Sequence, residues 1–373
     1  MLTANNDVKL LVNGENKFPE VIKALESAKN HIHIEYYIYE DDEIGKTIEQ
    51  LLIKKAKEGV QVRFIFDDFG SKGIRHNLSG RLNKGGVEAY PFYKVRFIKF
   101  ASRLNYRNHR KIIIVDGSLA FVGGINVSDR YINNTENSKS LFWRDTHLRI
   151  EGSGVTYLQY VFLCDWNFCA GQHLHPDDQF FPPVSTLKTI GNKIVQIAAS
   201  GPDSDHPTIL FTVLQAINLA YKQILITTPY FIPGQSILDA LIVSSLGGVN
   251  VKLLVPGKSD SAIVNAASRS YYEDLLNAGV EVYLYQKGFV HAKTLVADDK
   301  IAIVGTANMD ARSFDLNFEV NAIIYDEAIA KDLAEAFFED IRTAERIDKI
   351  QWAQRGFSKQ LGEKMARLLS PVL

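Results

Sequence analysis

Two segments of the chain carry the same polar residues at the same spacing, and this repeat constrains the fold more than any other feature. Counted from His109 in the first segment and from His291 in the second, lysine falls at +2, aspartate at +7, glycine at +14 and asparagine at +17. The residues at these positions are Lys111, Asp116, Gly123 and Asn126 in the first segment, and Lys293, Asp298, Gly305 and Asn308 in the second. Such a shared register predicts two copies of one structural unit.

Weaker similarity surrounds these motifs. The apolar runs 32–38 and 224–231 resemble each other, and so do the runs 60–66 and 249–255. Strand-like runs alternate with helix-like runs such as 44–57, which favours mixed, mostly parallel sheets flanked by helices. We therefore predict an α/β fold of two similar domains related by a pseudo-twofold axis, with the active site at their interface.

The boundary between the two units is predicted within 171–186, where Pro182 and Pro183 interrupt regular structure. This gives a first domain of residues 1–175, with its motif at 109–126, and a second of residues 176–373, with its motif at 291–308. A length of 373 residues and a hydrophobic content of 46% fit two domains with separate cores.

Composition narrows the functional classes. A net charge of −1 requires no polyanionic partner, so no nucleic acid is expected. Two cysteines do not make a disulfide framework. Apolar runs are too short to predict a transmembrane helix, and the first residues do not resemble a signal peptide.

The motif residues suit attack on a phosphate group. They are the pairs His109 with Lys111 and His291 with Lys293, followed by Asn126 and Asn308. The period of two along a strand puts each histidine and its lysine on one face. One imidazole can act as a nucleophile and the other as a proton donor near neutral pH, with no metal or cofactor. The lysines supply charge and the asparagines neutral donors for the nonbridging oxygens.

The pattern H-x-K-x4-D followed by G-G/T-x-N, present twice, resembles the phospholipase D superfamily, and most closely the bacterial cardiolipin synthases. Supporting phrases are NHRK at 108–111, WRDTHLR at 143–149, TPYFIP at 228–233 and GFVHAK at 288–293. The resemblance implies transphosphatidylation, in which two phosphatidylglycerol molecules give cardiolipin and glycerol through a phosphatidyl-histidine. The alternatives are a phospholipase D hydrolase, a phosphodiesterase acting on nucleic acid, a phosphatidylserine synthase-like transferase and a catalytically idle lipid-binding scaffold.

The resemblance also implies roles for the two histidines and the polar residues around them. His109 becomes phosphatidylated, while His291 protonates the leaving glycerol and then deprotonates the acceptor hydroxyl. Both lysines and both asparagines grip the phosphate, and Thr306, which replaces Gly124 of the first motif, adds a hydroxyl. The cleft walls are expected from residues 35–37 and 228–231.

Four acidic residues complete the implied site. Asp116 and Asp298 belong to the catalytic motif, although their place at strand ends favours the support of a turn. Asp145, at +36 in the first half, and Glu319, at +28 in the second, are expected to orient the histidines.

Two segments are candidates for membrane contact. Residues 89–115 hold seven basic and six aromatic residues and no acidic one, which favours an anionic membrane surface over a solvated loop or a nucleic-acid groove. The basic residues are Lys94, Arg96, Lys99, Arg103, Arg107, Arg110 and Lys111. Residues 357–369 are predicted as a packed amphipathic helix, with membrane contact as the alternative. The resemblance implies a peripheral protein at the cytoplasmic side of the bacterial membrane, with phosphatidylglycerol as its partner.

Overall fold

The computed structural model describes residues 2–71, 77–92, 106–133, 141–177, 179–182 and 190–370. The strands described before residue 175 are β1 (Leu2–Val12), β2 (His31–Tyr36), β3 (Gln61–Asp67), β4 (Glu88–Phe92), β5 (Arg107–Asn108), β6 (Lys111–Val115), β7 (Leu119–Gly123), β8 (Phe142–Arg144) and β9 (Thr146–Gly152). The helices are α1 (Asn13–Ser27), α2 (Glu43–Lys57), α3 (Leu78–Lys84) and α4 (Val155–Ala170).

The strands described after residue 190 are β10 (Lys193–Ser200), β11 (Gln223–Thr227), β12 (Phe231–Ile232), β13 (Asn250–Pro256), β14 (Glu281–Tyr285), β15 (Gly288–Val290), β16 (Thr294–Ala297), β17 (Ile301–Gly305), β18 (Met309–Asp310), β19 (Asn317–Tyr325) and β20 (Ala344–Arg346). The helices are α5 (Thr208–Leu219), α6 (Gln235–Leu246), α7 (Ala262–Arg269), α8 (Tyr272–Asn277), α9 (Ala311–Asp315), α10 (Glu327–Ile341), α11 (Lys349–Ala353) and α12 (Phe357–Arg367).

The order of strands repeats about the middle of the sheet. Along its main path the described residues give the order β20-β14-β13-β11-β16-β17-β19-β10-β1-β9-β7-β6-β2-β3-β4. Outwards from the antiparallel pair β1 and β10, the series β9, β7, β6, β2, β3, β4 matches β19, β17, β16, β11, β13, β14. Parallel pairing of β2, β3 and β4 beside antiparallel β6, β7 and β9 makes each half a mixed sheet. The predicted α/β fold with two similar, pseudo-twofold related units is confirmed.

Three apolar cores hold these layers together. One core lies under α1, α2 and α3 of the first unit, and a second lies under α5, α6 and α8 of the second unit. The third joins α4 and α10 to the inner faces of both halves of the sheet, where β7 and β9 contact β17 and β19. Because this central core is closely packed apolar surface, the two units hold a fixed relation across the site between them.

Three expectations from the sequence concern the domain boundary, the cysteines and membrane-spanning helices. The first unit ends with α4 at Ala170 and β10 begins at Lys193, so the predicted boundary at residues 175 and 176 falls between them and stays a prediction. Cys164 and Cys169 are free thiols on α4. Among the residues that the structure describes, no helix combines the length and apolar character needed to cross a bilayer.

Candidate active site

Each motif forms a hairpin, β6–β7 in the first unit and β16–β17 in the second. Its turn begins at Asp116 or Asp298, whose backbones are left-handed with φ of 51° and 54°. The Asp116 carboxylate accepts hydrogen bonds from the backbone N–H groups of residues 29–31 at 2.9, 2.7 and 2.9 Å. Asp298 accepts the same three bonds from residues 221–223, at the same distances. These carboxylates anchor the turn and do not line the cleft, which agrees with the support of a turn favoured by their place at strand ends; their part in catalysis stays a prediction.

A short strand before each histidine crosses into the other unit. β5 pairs in parallel with β19, and the backbone N–H of His109 donates to the carbonyl of Phe318 at 2.9 Å. β15 pairs in parallel with β8, and the N–H of His291 donates to the carbonyl of Arg144 at 2.7 Å. The residue after each of these carbonyls is the acidic residue, Glu319 or Asp145. The backbone pairing therefore carries each histidine to a carboxylate of the opposite unit.

The side chains follow this crossing. Nδ1 of His109 lies 2.9 Å from Oε1 of Glu319, and Nδ1 of His291 lies 2.7 Å from Oδ2 of Asp145. Both carboxylates are fully buried. An ionised carboxylate only accepts, so each Nδ1 carries the proton and each Nε2 keeps its lone pair. The expectation that these acids orient the histidines holds geometrically, but the expected pairing within each half is corrected, because the acids cross over.

The two motif lysines lie buried beside the histidines. Nζ of Lys111 donates to the carbonyl of His109 at 2.6 Å, and Nζ of Lys293 donates to the carbonyl of His291. Lys293 Nζ also lies 3.1 Å from Nδ1 of His291. That nitrogen already donates to Asp145, so the lysine contributes there through its charge.

The asparagines reach the cleft, but Thr306 does not. Asn126 donates to the hydroxyl of Tyr131 at 2.8 Å, and Asn126 and Asn308 both line the cleft. Oδ1 of Asn308 is buried and has no hydrogen-bond partner among the described residues. Thr306 is fully buried, and its hydroxyl both donates to and accepts from the backbone of Val320 at 3.2 and 2.9 Å. The expected phosphate contact of Thr306 is therefore replaced by support of β19.

A cleft of about 420 Å³ lies where the two units meet. Its lining comes from both units and comprises Tyr37, Ile38, Arg107, His109, Asn126, Arg130, Tyr131, Trp143, Tyr230, Ile232, Asp260, Ser261, Val264, His291, Asn308, Asp310, Arg312 and Asn317. The ring of Tyr37 packs edge-on against His109 at 4.8 Å between centroids, and Trp143 lies 5.5 Å from His291. Of the expected walls, Tyr37 and Tyr230 line the cleft. Glu35 is fully buried and hydrogen-bonded to Asn108 instead.

Burial controls the charge state of the site. Burial lowers the pKa of His109 to about 4 and that of His291 to about 3, although the charges of Glu319 and Asp145 act to raise these two values. Burial also lowers the pKa of Lys111 to about 7 and that of Lys293 to about 8. Burial raises the pKa of Glu319, but the interaction with His109, including its hydrogen bond, and the charge of Lys111 outweigh burial, and the net pKa is lowered. At neutral pH the free enzyme thus holds neutral imidazoles beside ionised Glu319, as a nucleophile requires.

The repeat extends beyond the asparagines, which the sequence interpretation missed. Ser128 and Asp310 both stand at +19, and Arg130 and Arg312 both stand at +21 from their histidines. Ser128 and Asp310 each cap the turn or helix that follows, and the two arginines line the cleft. Burial raises the pKa of Asp310 to about 6. The shared register was visible in the sequence, although the change from serine to aspartate disguised it.

The basic and aromatic segment 89–115 is only partly described. Lys94, Arg96, Lys99 and Arg103 lie outside the described residues. Of the other three cations, Arg107 lines the cleft, Arg110 is buried against Asp165, and Lys111 is buried in the site. These three cations therefore lie in the cleft or in the interior and not on the membrane-facing surface that the sequence predicted.

A paired imidazole site with two lysines, built by two repeated α/β units, has the groups that phosphoryl transfer requires. The family model described as "Cardiolipin synthase, PLD-like domain" matches residues 21–146 and 213–341. The cardiolipin synthase of Staphylococcus aureus is 46% identical over the whole chain, which covers 74% of that protein. The major cardiolipin synthase ClsA of Bacillus subtilis is 44% identical over the whole chain, which covers 77% of that protein.

A solved structure with low sequence similarity agrees on the fold. The phosphatidylserine synthase of Haemophilus influenzae aligns with a TM-score of 0.71 at 15% identity, over 98% of this chain and 95% of that one. At 15% identity this structural similarity supports the fold alone. With the family model and the close relatives, the chain belongs to the cardiolipin synthase family of phospholipase D-like proteins.

Proposed function

We propose that the chain joins two molecules of phosphatidylglycerol into cardiolipin and releases glycerol. The crossed pairing carries this proposal: two neutral imidazoles, each held by a carboxylate of the opposite unit, line one cleft. Transfer through a covalent intermediate needs a nucleophile and a proton carrier on opposite sides of one phosphorus atom. Relatives that are cardiolipin synthases point to phosphatidylglycerol as the lipid.

In the first half-reaction, Nε2 of His109 attacks the phosphorus of the donor lipid. The phosphorus–oxygen bond to the headgroup glycerol breaks, and the leaving oxygen takes a proton from Nε2 of His291. The pKa of His291 in the free enzyme is lowered to about 3, mainly by burial. A bound phosphodiester brings a negative charge beside the imidazole and raises that pKa, so His291 takes up its proton together with the substrate.

In the second half-reaction, the terminal hydroxyl of another phosphatidylglycerol enters the space that glycerol leaves. Neutral His291 accepts the hydroxyl proton, the oxygen attacks phosphorus, and the bond to His109 breaks. One phosphodiester is exchanged for another, so the reaction lies near equilibrium and runs backwards when glycerol is in excess. Lys111, Lys293, Asn126 and Asn308 stabilise the nonbridging oxygens in both steps.

The arginines of the cleft favour a lipid acceptor over water. Arg107 and Arg312 line the cleft and supply positive charge for a second phosphate, which only a phospholipid acceptor brings. Arg130 lines it too, but its charge is paired with Glu40. The unpartnered Oδ1 of Asn308 suits a hydroxyl donor. Water is present at about 55 M, so a bound and aligned hydroxyl prevails only through the high effective concentration that such contacts create.

The place of action follows from the substrate. Phosphatidylglycerol resides in bilayers, so the protein works at a membrane surface; the cytoplasmic side is our proposal, to be tested by the protease sensitivity of the protein in sealed, oriented vesicles.

The product distribution tests the proposed reaction. Phosphatidylglycerol labelled in its headgroup glycerol is incubated in vesicles, and lipids and free glycerol are quantified. We expect cardiolipin and glycerol in equal amounts, little phosphatidic acid, and loss of cardiolipin when glycerol is added. His109→Ala and His291→Ala proteins serve as blanks. Phosphatidic acid as the main product would show that water is the acceptor and that the enzyme is a hydrolase.

A further inference from the structure

Helix α12 turns a charged face towards the protein and an apolar face outwards. Its buried side chain is that of Glu363, with 5% of the residue exposed. Glu363 accepts hydrogen bonds from Nε of Arg269 at 2.9 Å and from Nη1 of Arg355 at 2.8 Å. A surface helix of a globular protein ordinarily buries its apolar stripe instead. The helix is therefore docked through ion pairs, and its apolar stripe remains uncovered.

The uncovered stripe forms a continuous ridge. Phe357, Leu361 and Met365 are 79%, 48% and 59% exposed, and Leu368, directly after the helix, is 72% exposed. Spacings of four, four and three residues put these side chains on one helical face. Single exposed apolar residues are common, but a contiguous exposed ridge marks an interaction surface.

The charges of α12 point to an anionic partner. Its cations are Lys359, Lys364 and Arg367, and its single acid is the buried Glu363. Lys364 and Arg367 also form ion pairs with Glu273 and Asp274 on α8, at 3.7 and 3.1 Å. Apolar side chains flanked by lysine and arginine are the composition of helices that lie in the headgroup region of anionic bilayers.

Helix α7 connects α12 to the cleft. Helix α7 packs along α12 and holds it through Arg269. Another part of α7 carries Val264, which lines the cleft, and its N-cap Ser261 lines it as well. A surface that contacts α12 is therefore one helix away from the site.

We propose that α12 lies in the surface of an anionic bilayer and seats the cleft against it. This inference rests on the proposed function, because it takes the substrate to be a bilayer lipid. Eleven helical residues span about 16 Å, which suits a helix lying along the surface rather than one crossing it.

Removal of the ridge provides the test, with a matched control on another helix. Leu361→Ser with Leu368→Ser removes two ridge residues, whereas Val243→Ser with Leu246→Ser removes two apolar residues of α6 that are 67% and 70% exposed. Binding is measured by sedimentation with vesicles of phosphatidylglycerol and phosphatidylcholine. We expect the vesicle partition coefficient to fall about tenfold or more for the α12 variant and to stay unchanged for the control. Unchanged binding of a folded α12 variant would overturn the inference.

A second variant and a second substrate complete the design. Lys364→Gln leaves the apolar ridge intact, removes the cation that flanks it, and should weaken binding most at low salt, where charge is least screened. Cardiolipin formation from monomeric dihexanoyl phosphatidylglycerol should be unchanged in all three variants. If the unmodified protein lacks that activity, the proposed function is wrong. The vesicle-binding measurement would still show whether α12 contacts the bilayer. Should light scattering show that the ridge variant dissociates a dimer without changing vesicle binding, a second copy covers the ridge and the bilayer proposal is wrong.

Discussion

Nδ1 of His109 lies 2.9 Å from Oε1 of Glu319, although 210 residues separate them in the chain. His291 and Asp145 repeat this relationship across 146 residues, at 2.7 Å. Neither unit contains a complete histidine–carboxylate pair. Each unit therefore depends on the other to hold its histidine, and the central apolar core that fixes the relation of the two units also fixes the geometry of both imidazoles.

Replacement of Glu319 by glutamine should impair catalysis strongly. The glutamine side chain can donate to Nδ1 of His109, which moves the imidazole proton to Nε2 and removes the attacking lone pair. By analogy with the carboxylate of serine protease triads, kcat should fall by about 10²- to 10⁴-fold. The measurement is the rate with monomeric short-chain phosphatidylglycerol, with the exposed Glu327→Gln as control. A Glu319→Gln rate within threefold of the unmodified enzyme would contradict the orienting role.

The pH dependence of kcat/KM should show an acid limb and an alkaline limb. The pKa of His109 is lowered to about 4, so the nucleophile gains its lone pair as pH rises through that value. The pKa values of Lys111 and Lys293 are about 7 and 8, so their charges are lost as pH rises further. His291 must also carry a proton, and its pKa in the free enzyme is about 3. kcat/KM, which reports free-enzyme groups, should therefore fall as pH rises above about 4, and more steeply above about pH 7, where the lysine charges are lost.

A lysine replacement checks the alkaline limb. Lys293→Arg keeps its charge at all these pH values, so whatever its absolute rate, its steeper fall above about pH 7 should reflect Lys111 alone. A profile of the unmodified enzyme that does not steepen from about pH 6 to 9.5 would show that lysine charge does not limit the reaction.

Lys17 should act as a positioning residue behind the site. Its fully buried ammonium donates to the carbonyl of Ile125 at 2.8 Å, next to Asn126. Burial lowers the pKa of Lys17, and the charge of Asp145 opposes this. Lys17→Met removes the hydrogen bond to the Ile125 carbonyl, which holds the backbone beside Asn126, and the amine near Asp145. Because both site residues then lose support for their position, kcat should fall about ten- to a hundredfold.

Stability should change little in the same variant. Loss of the buried charge relieves a desolvation cost, while the Ile125 carbonyl loses its donor, so the two effects oppose each other. The melting temperature and kcat of Lys17→Met are compared with those of Lys23→Met, an exposed lysine on the same helix. A parallel loss of Tm and kcat would make Lys17 a stability residue only.

Asp116→Ala should destabilise the fold without impairing the chemistry. Three backbone N–H groups lose their acceptor, and alanine is strained at a φ of 51°. The free energy of unfolding should fall by about 2–4 kcal/mol, measured by urea denaturation. kcat per folded site should stay near that of the unmodified enzyme, and a loss above a hundredfold would restore Asp116 to the catalytic residues. Asp116→Asn, which tolerates a left-handed backbone, should be milder.

The sequence repeat predicted the architecture and the central residues of the site well. His109, Lys111 and Asn126 recur with their counterparts at fixed spacing, because equivalent places in equivalent hairpins need the same side chains. The crossed partners of the histidines were not predictable in this way. Spacing along the chain assigns Asp145 and Glu319 to their own halves, whereas the pairing of β5 with β19 and of β15 with β8 is a tertiary relationship.

Other differences have similar causes. A threonine beside a phosphate motif favours phosphate contact, but Thr306 is fully buried and its hydroxyl bonds to the backbone of Val320. The apolar residues of α12 predicted a packed helix, whereas the buried Glu363 is held by arginines distant in sequence, and the apolar ridge faces outwards. Periodicity gives the faces of a helix and does not say which face the protein covers.

The central claim is that one site holds two histidines with different roles, and trapping of the covalent intermediate tests it most directly. A phosphatidyl donor with p-nitrophenol as leaving group needs no proton from His291, so His291→Ala should release one equivalent of p-nitrophenol in a burst and then stop. Rapid alkaline quench and peptide mass analysis should then find phosphatidyl on His109, while His109→Ala gives neither burst nor label. A label on another residue, or a full burst from His109→Ala, would contradict the account.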